Sequence, residues 1–191
     1  MRKETKREYF SIPNLMGYFR ILLIPIYLYV YIHAESTADY YAAAGIMVLS
    51  YLSDFLDGKI ARRFHMITEF GKILDPVADK LTQGALALSF AFRYPALKVF
   101  FVAFLCKELM MGLLGAYMMK KGRRMNGAQW HGKICTAVID LMMFLLLILP
   151  SLSHNVVLIL VSISLIVMVF SFLSYLRLYM EMWKQTPKEQ A

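Results

Sequence analysis

Four aspartates carry the chemistry that this sequence offers most openly. Asp54 and Asp57, followed by Gly58 and Ala61, fall at i, i+3, i+4 and i+7, so on a helix they share one face. Asp75 and Asp79 stand four apart, with Gly71 one turn before them. Two helices joined by a short basic loop would gather four negative charges, which repel unless cations sit among them. Carboxylate oxygens suit hard divalent cations, and Mg²⁺ or Mn²⁺ commonly shares its sphere between a few carboxylates and a substrate phosphate. Four aspartates would suit two ions, able to bracket a phosphoryl group during an in-line displacement. Gly58, Ala61 and Gly71 are small enough to let a flat or bulky group reach the backbone, and Arg62 adds a planar donor suited to a bridging phosphate. Two other uses of such residues stay open on chemistry alone: an ion relay in a cation-coupled transporter, and polar contacts between helices.

The elements that must position these residues are hydrophobic. The chain has 191 residues, 59% of them apolar and 18% charged, with mean hydropathy +0.54. That balance defines a membrane protein. The formal charge of +8 does not point to nucleic acid, because the basic residues fall in short clusters between apolar runs. Cys106 and Cys135 lie inside apolar runs without metal or disulfide spacing and read as packing residues. The pattern predicts an all-α integral membrane bundle of six transmembrane helices. The spans are Leu15–Ala34, Tyr40–Arg63, Glu69–Phe92, Ala96–Met119, Trp130–Leu149 and Val156–Met180. A short N-terminal interfacial segment, residues 1–13, precedes them, and residues 181–191 form a tail, all within one domain. The first apolar run is too long for a signal-peptide core and is kept as a membrane helix, with a kink expected at Pro25.

Charges inside these spans are costly in lipid. Arg20 either snorkels to the headgroups or points inward at a phosphate, and Lys107–Glu108 should face a bundle interior or a wet cavity. Sixteen of the 21 lysines and arginines fall at the N-terminus, in the loops at 59–72 and 120–133, and in the tail. Both termini and the aspartates are therefore expected on the cytoplasmic side.

The series Asp54-x2-Asp57-Gly58-x2-Ala61-Arg62-x8-Gly71-x3-Asp75-x3-Asp79 resembles, without gap or substitution, the signature of the CDP-alcohol phosphatidyltransferases. The resemblance implies a metal-dependent enzyme that moves a phosphatidyl group from CDP-diacylglycerol to a small polar or lipid alcohol, releasing CMP. It implies that Asp54, Asp57, Asp75 and Asp79 hold two Mg²⁺ or Mn²⁺ ions, with Asp79 as the base. Gly58, Ala61, Arg62 and Gly71 would line the CDP site. A homodimer in the bacterial cytoplasmic membrane, among membrane lipids, is implied as well. Ile12-Pro13-Asn14-Leu15, Arg20, Pro25 and the run Gly71 to Lys80 resemble the members that use glycerol 3-phosphate and their relatives that use phosphatidylglycerol. The first acceptor is favoured. Lys107-Glu108 departs from the Arg-Glu common in those members, exchanging a bidentate fork for a point charge. Arg20, Lys107, Lys133 and Arg177 are the candidates to bind the acceptor, although Lys133, Thr136 and Asp140 also form a polar stripe on one helix face.

Overall fold

A computed structural model describes residues 9–122 and 129–184. Arg2, Lys3, Lys6 and Arg7 of the expected interfacial arm, Arg123 and Arg124 of the basic loop, and the tail beyond 184 lie outside the described residues. Those described form six long helices and no strands: α1 Ile12–Ile32, α2 Thr37–Arg63, α3 Gly71–Arg93, α4 Pro95–Lys120, α5 Trp130–Ile148 and α6 His154–Lys184. The ends shift by a few residues from the apolar runs because local chemistry sets them. α2 starts early on a capping box, in which the Ser36 hydroxyl accepts from the Asp39 N–H and Asp39 accepts from the Ser36 N–H. α3 starts at Gly71, whose N–H donates to Thr68 Oγ1 at 2.9 Å. Arg62 and Arg63 close α2, where cations complement the helix dipole. α1 continues through Pro25.

The helices divide into two compact units. The first holds α1, α2 and α3 with the short stretch Leu147–Ser151. Here α1 packs against both α2 and α3. Its buried residues, Pro13, Asn14, Gly17, Arg20, Leu23, Tyr27 and Tyr31, recur every three or four positions and form one face. α2 meets it with small residues, Ala43, Ala44, Ser50 and Ser53, which let backbones come close. At Gly17 a side chain would come within 2.8 Å of Leu74 Cδ2, so the glycine permits the approach of α3 next to Asp75. Further along, Tyr27 and Ser89 hydroxyls meet at 2.7 Å, and Ser89 gives its proton to the Leu86 carbonyl. Tyr27 is therefore the donor in that pair. Tyr31 stands edge-on to Tyr40 and Phe90. Arg93 caps this end, stacking over Tyr40 and donating to the Pro150 carbonyl at 2.6 Å.

In the second unit α4 packs on α6. Met118, Tyr175, Tyr179 and Met182 form a buried cluster. His131 meets Tyr175 edge-on, and Tyr117 stacks on Trp183 beneath the Lys121 ammonium.

Helices α1, α4, α5 and α6 are long and apolar enough to cross a membrane. α2 and α3 have the length, at 27 and 23 residues, but carry the charged motif in one half. Large apolar side chains such as Leu22, Leu113 and Ile166 are about two-thirds exposed, which suits a hydrocarbon surround. The chain is an integral membrane protein. Cys135 is buried as expected, whereas Cys106 is exposed, because its position on α4 turns away from the packed face.

Candidate active site

All four motif aspartates converge on one side chain of α1. Arg20 is almost fully buried and forms ion pairs with Asp54 and Asp57 from α2 and with Asp75 and Asp79 from α3. Nη1 serves Asp54 and, at 2.9 Å, Asp79. Nη2 lies 3.3 Å from Asp57 and 3.5 Å from Asp75. Each terminal nitrogen thus joins one carboxylate of α2 to one of α3. The Asp57 side chain is 5% exposed, while those of Asp54, Asp75 and Asp79 are 45%, 51% and 55% exposed. Arg20 neither snorkels nor stands apart as an anion binder; it belongs to the carboxylate cluster.

A second polar contact fixes the start of α3. Asn14, buried on α1, donates to Thr68 Oγ1 at 3.1 Å, and that oxygen also receives the Gly71 N–H. A Cβ on Gly71 would stand 2.8 Å from Asn14 Oδ1 and 3.0 Å from Thr68 Oγ1. The groups that approach Gly71 in this structure are therefore protein side chains. Sequence reasoning passed over this trio, although Thr68 three residues before Gly71 carries the signal of a helix cap.

Gly58 has ordinary room around it, with Arg62 Nη2 3.6 Å from a would-be Cβ. Ala61 is half-buried and Arg62 is exposed. Beside them opens a cavity of about 620 Å³ lined by Lys59, Ile60, Arg62, Arg63 and Phe64. An apolar groove of about 380 Å³ runs between α1 and α2, lined by Leu15, Phe19, Leu49, Leu52 and Leu56 among others. The remaining acceptor candidates lie in the second unit. Lys107 is mostly buried and pairs with Glu108 at 2.6 Å. Arg177 is exposed and pairs with Glu181 at 3.2 Å, and Lys133 is exposed.

The donor set fits a hard divalent cation: it is all carboxylate oxygen, and three of the four groups are open to exchange. With all four ionised, Arg20 offsets only one of their charges. Among the described residues no three of these groups close into a ready-made ion cage; they close on Arg20 instead.

Fold and site together define a helical membrane protein that gathers a carboxylate cluster on two adjoining helices. The model of the CDP-alcohol phosphatidyltransferase family matches residues 10–178. Over 130 residues the chain is 34% identical to CDP-diacylglycerol–glycerol-3-phosphate 3-phosphatidyltransferase of Escherichia coli strain K12, covering 66% of this chain and 71% of that one. The same figures hold for the proteins of that name from Shigella flexneri serotype 5b and Shigella sonnei. This chain belongs to the CDP-alcohol phosphatidyltransferase family, a family of membrane transferases that generally depend on divalent metal.

Proposed function

We propose that this protein transfers the phosphatidyl group of CDP-diacylglycerol to a hydroxyl of glycerol 3-phosphate and releases CMP. The observation that carries the reading is the convergence of Asp54, Asp57, Asp75 and Asp79 from α2 and α3 onto one buried point. The choice of acceptor draws on the relatives named above.

In this reading Asp79, half exposed at the cluster's edge, takes the proton of the acceptor hydroxyl. The acceptor oxygen then bonds to the phosphorus that bears diacylglycerol, and the bond from that phosphorus to the CMP oxygen breaks. Two Mg²⁺ or Mn²⁺ ions, held by the four aspartates, would neutralise the pyrophosphate oxygens and the departing CMP. Arg62, at the mouth of its basic cavity, binds the donor's phosphates, with Gly58 and Ala61 leaving room for the nucleotide, while Gly71 acts by letting Asn14 and Thr68 close on the start of α3. The groove between α1 and α2 suits an acyl chain held next to the cluster. Lys107, Lys133 and Arg177 are the cations available for the acceptor phosphate. The chain acts as one catalytic domain, as a homodimer, with the cluster and both termini on the cytoplasmic face of the membrane.

The test is CMP release by purified protein with CDP-diacylglycerol, Mg²⁺ or Mn²⁺, and a panel of acceptors. Release that requires glycerol 3-phosphate is the expected result. Release with phosphatidylglycerol instead would make this a cardiolipin-forming enzyme. Counterflow across sealed vesicles without CMP would make it a transporter.

A further inference from the structure

We propose that Arg20 is a built-in counter-ion that holds the carboxylate cluster together in the metal-free enzyme and yields its partners when divalent ions bind. The proposal rests on the reading of the four aspartates as metal ligands. Three observations carry it. First, one guanidinium engages all four carboxylates, and it does so in two pairs, with Nη1 joining Asp54 to Asp79 and Nη2 joining Asp57 to Asp75. Each nitrogen bridges α2 and α3 as a cation between those helices would. Second, Arg20 is 2% exposed and lies on the face where α1 packs against both helices, so its charge is buried at a point that no solvent can balance. Third, the contacts are uneven. Nη1 is hydrogen-bonded to both its partners, whereas Nη2 and Nε make no hydrogen bond, so the Asp57 and Asp75 side of the fork is held by charge alone.

Two consequences follow from charge. Without metal, the arginine cancels part of a fourfold repulsion that would otherwise push α2 and α3 apart. Ions held by the same aspartates would meet this arginine as a like charge, and at protein-surface dielectric such a repulsion is worth at least about tenfold in affinity. Arg20 is accordingly a positioning residue: it shapes the empty cluster and weakens ion binding, which keeps the ions exchangeable and lets the substrate's phosphates contribute to their capture.

The experiment measures Mn²⁺ binding by electron paramagnetic resonance, and thermal unfolding with and without Mn²⁺, on full-length protein in detergent without substrate. Wild type, Arg20→Gln, Arg20→Lys and Asp75→Asn are compared. Arg20→Gln is expected to bind Mn²⁺ at least about tenfold more tightly, to melt at lower temperature without metal and to gain more from Mn²⁺ than wild type does. Arg20→Lys, which keeps the charge and loses the fork, should fall between them. If Arg20→Gln folds only with Mn²⁺ and unfolds on chelation while wild type survives, the counter-ion role is supported. Equal or weaker Mn²⁺ binding by a folded Arg20→Gln would overturn the proposal. So would a variant that unfolds equally with and without Mn²⁺, or one whose only change is a raised KM for glycerol 3-phosphate. Mn²⁺ binding that is absent in wild type, or untouched by Asp75→Asn, would instead refute the underlying assignment of the metal ligands.

Discussion

Replacing Gly71 with alanine separates two roles for this motif glycine. The added methyl would stand 2.8 Å from Asn14 Oδ1 and 3.0 Å from Thr68 Oγ1, so reaching an ordinary contact of 3.4 Å requires Asn14 to retreat by about 0.6 Å. Asn14 is 2% exposed and tied to Thr68, and Thr68 in turn holds the Gly71 N–H. Overpacking of this kind costs about 1–3 kcal/mol, and loss of the Thr68 cap would add about 1 kcal/mol. We expect Gly71→Ala to lose about 2 kcal/mol, which for a chain of this size lowers the melting temperature by roughly 4–8 °C. Asp75 lies one turn beyond Gly71, so CMP release should fall as well. Asn14→Ala in the same protein removes the obstructing oxygen, and the double variant should be more stable than the two separate losses predict, with a coupling of about 1 kcal/mol. Thermal unfolding in detergent and CMP release from CDP-diacylglycerol measure both effects. An unchanged melting temperature with a raised KM for CDP-diacylglycerol would refute the packing account and assign the glycine to the donor site.

Asp79→Asn keeps an oxygen that can accept from Arg20 Nη1 and should stay folded and bind CDP-diacylglycerol while turnover drops by about 10²–10⁴-fold, as loss of a general base does; full activity would remove Asp79 as the base. Arg62→Ala should raise the KM for CDP-diacylglycerol more than that for the acceptor, since Arg62 lies at the basic cavity rather than in the carboxylate cluster, and the reverse pattern would overturn the map of the site. In the second unit, Gly132→Ala drives a methyl into the Tyr175 ring, whose Cζ and Cε2 stand 2.9 and 3.0 Å from the new Cβ. A loss of about 1–3 kcal/mol is expected, visible as a lower melting temperature and eased by Tyr175→Leu.

The carboxylates were legible in the sequence because helical spacing alone puts Asp54 with Asp57 and Asp75 with Asp79 on single faces, whatever surrounds them. The six helices were legible for a similar reason: apolar runs of span length separated by charge have few other folds. Arg20 was not. A cation one or two turns inside a span has local alternatives, lipid headgroups or a ligand, and its true partners lie 34 to 59 residues away. The face that carries it does leave a trace. Asn14, Gly17 and Arg20 follow one another at three-residue spacing in a helix otherwise almost free of polar or small residues, a stripe that marks the packed side. The Tyr27–Ser89 pair and the fit of Tyr175 over Gly132 left none, because a tyrosine in an apolar run and a glycine near a helix start have too many uses to choose among.

The state of Arg20 also bears on how the acceptor is recognised. A guanidinium whose Nη1 is shared between two carboxylates, and whose Nη2 faces two more, is held within the cluster at both of its terminal nitrogens. The other candidate cations for the acceptor's anionic group lie outside the cluster, and they differ in what they must give up. Arg177 pairs with Glu181 on an exposed helix face, a contact worth at most about 1 kcal/mol, so it can turn to a phosphate at small cost. Lys107 is mostly buried and pairs with Glu108 at 2.6 Å, so drawing it to a phosphate would break a shielded ion pair. A lysine in that place of the fourth helix serves better as part of an ion pair that fixes Glu108 than as a free phosphate ligand. By that reasoning the exchange of the family's common arginine for Lys107 bears first on the Glu108 pair, and Arg177 with Lys133 remains the better match for the acceptor phosphate.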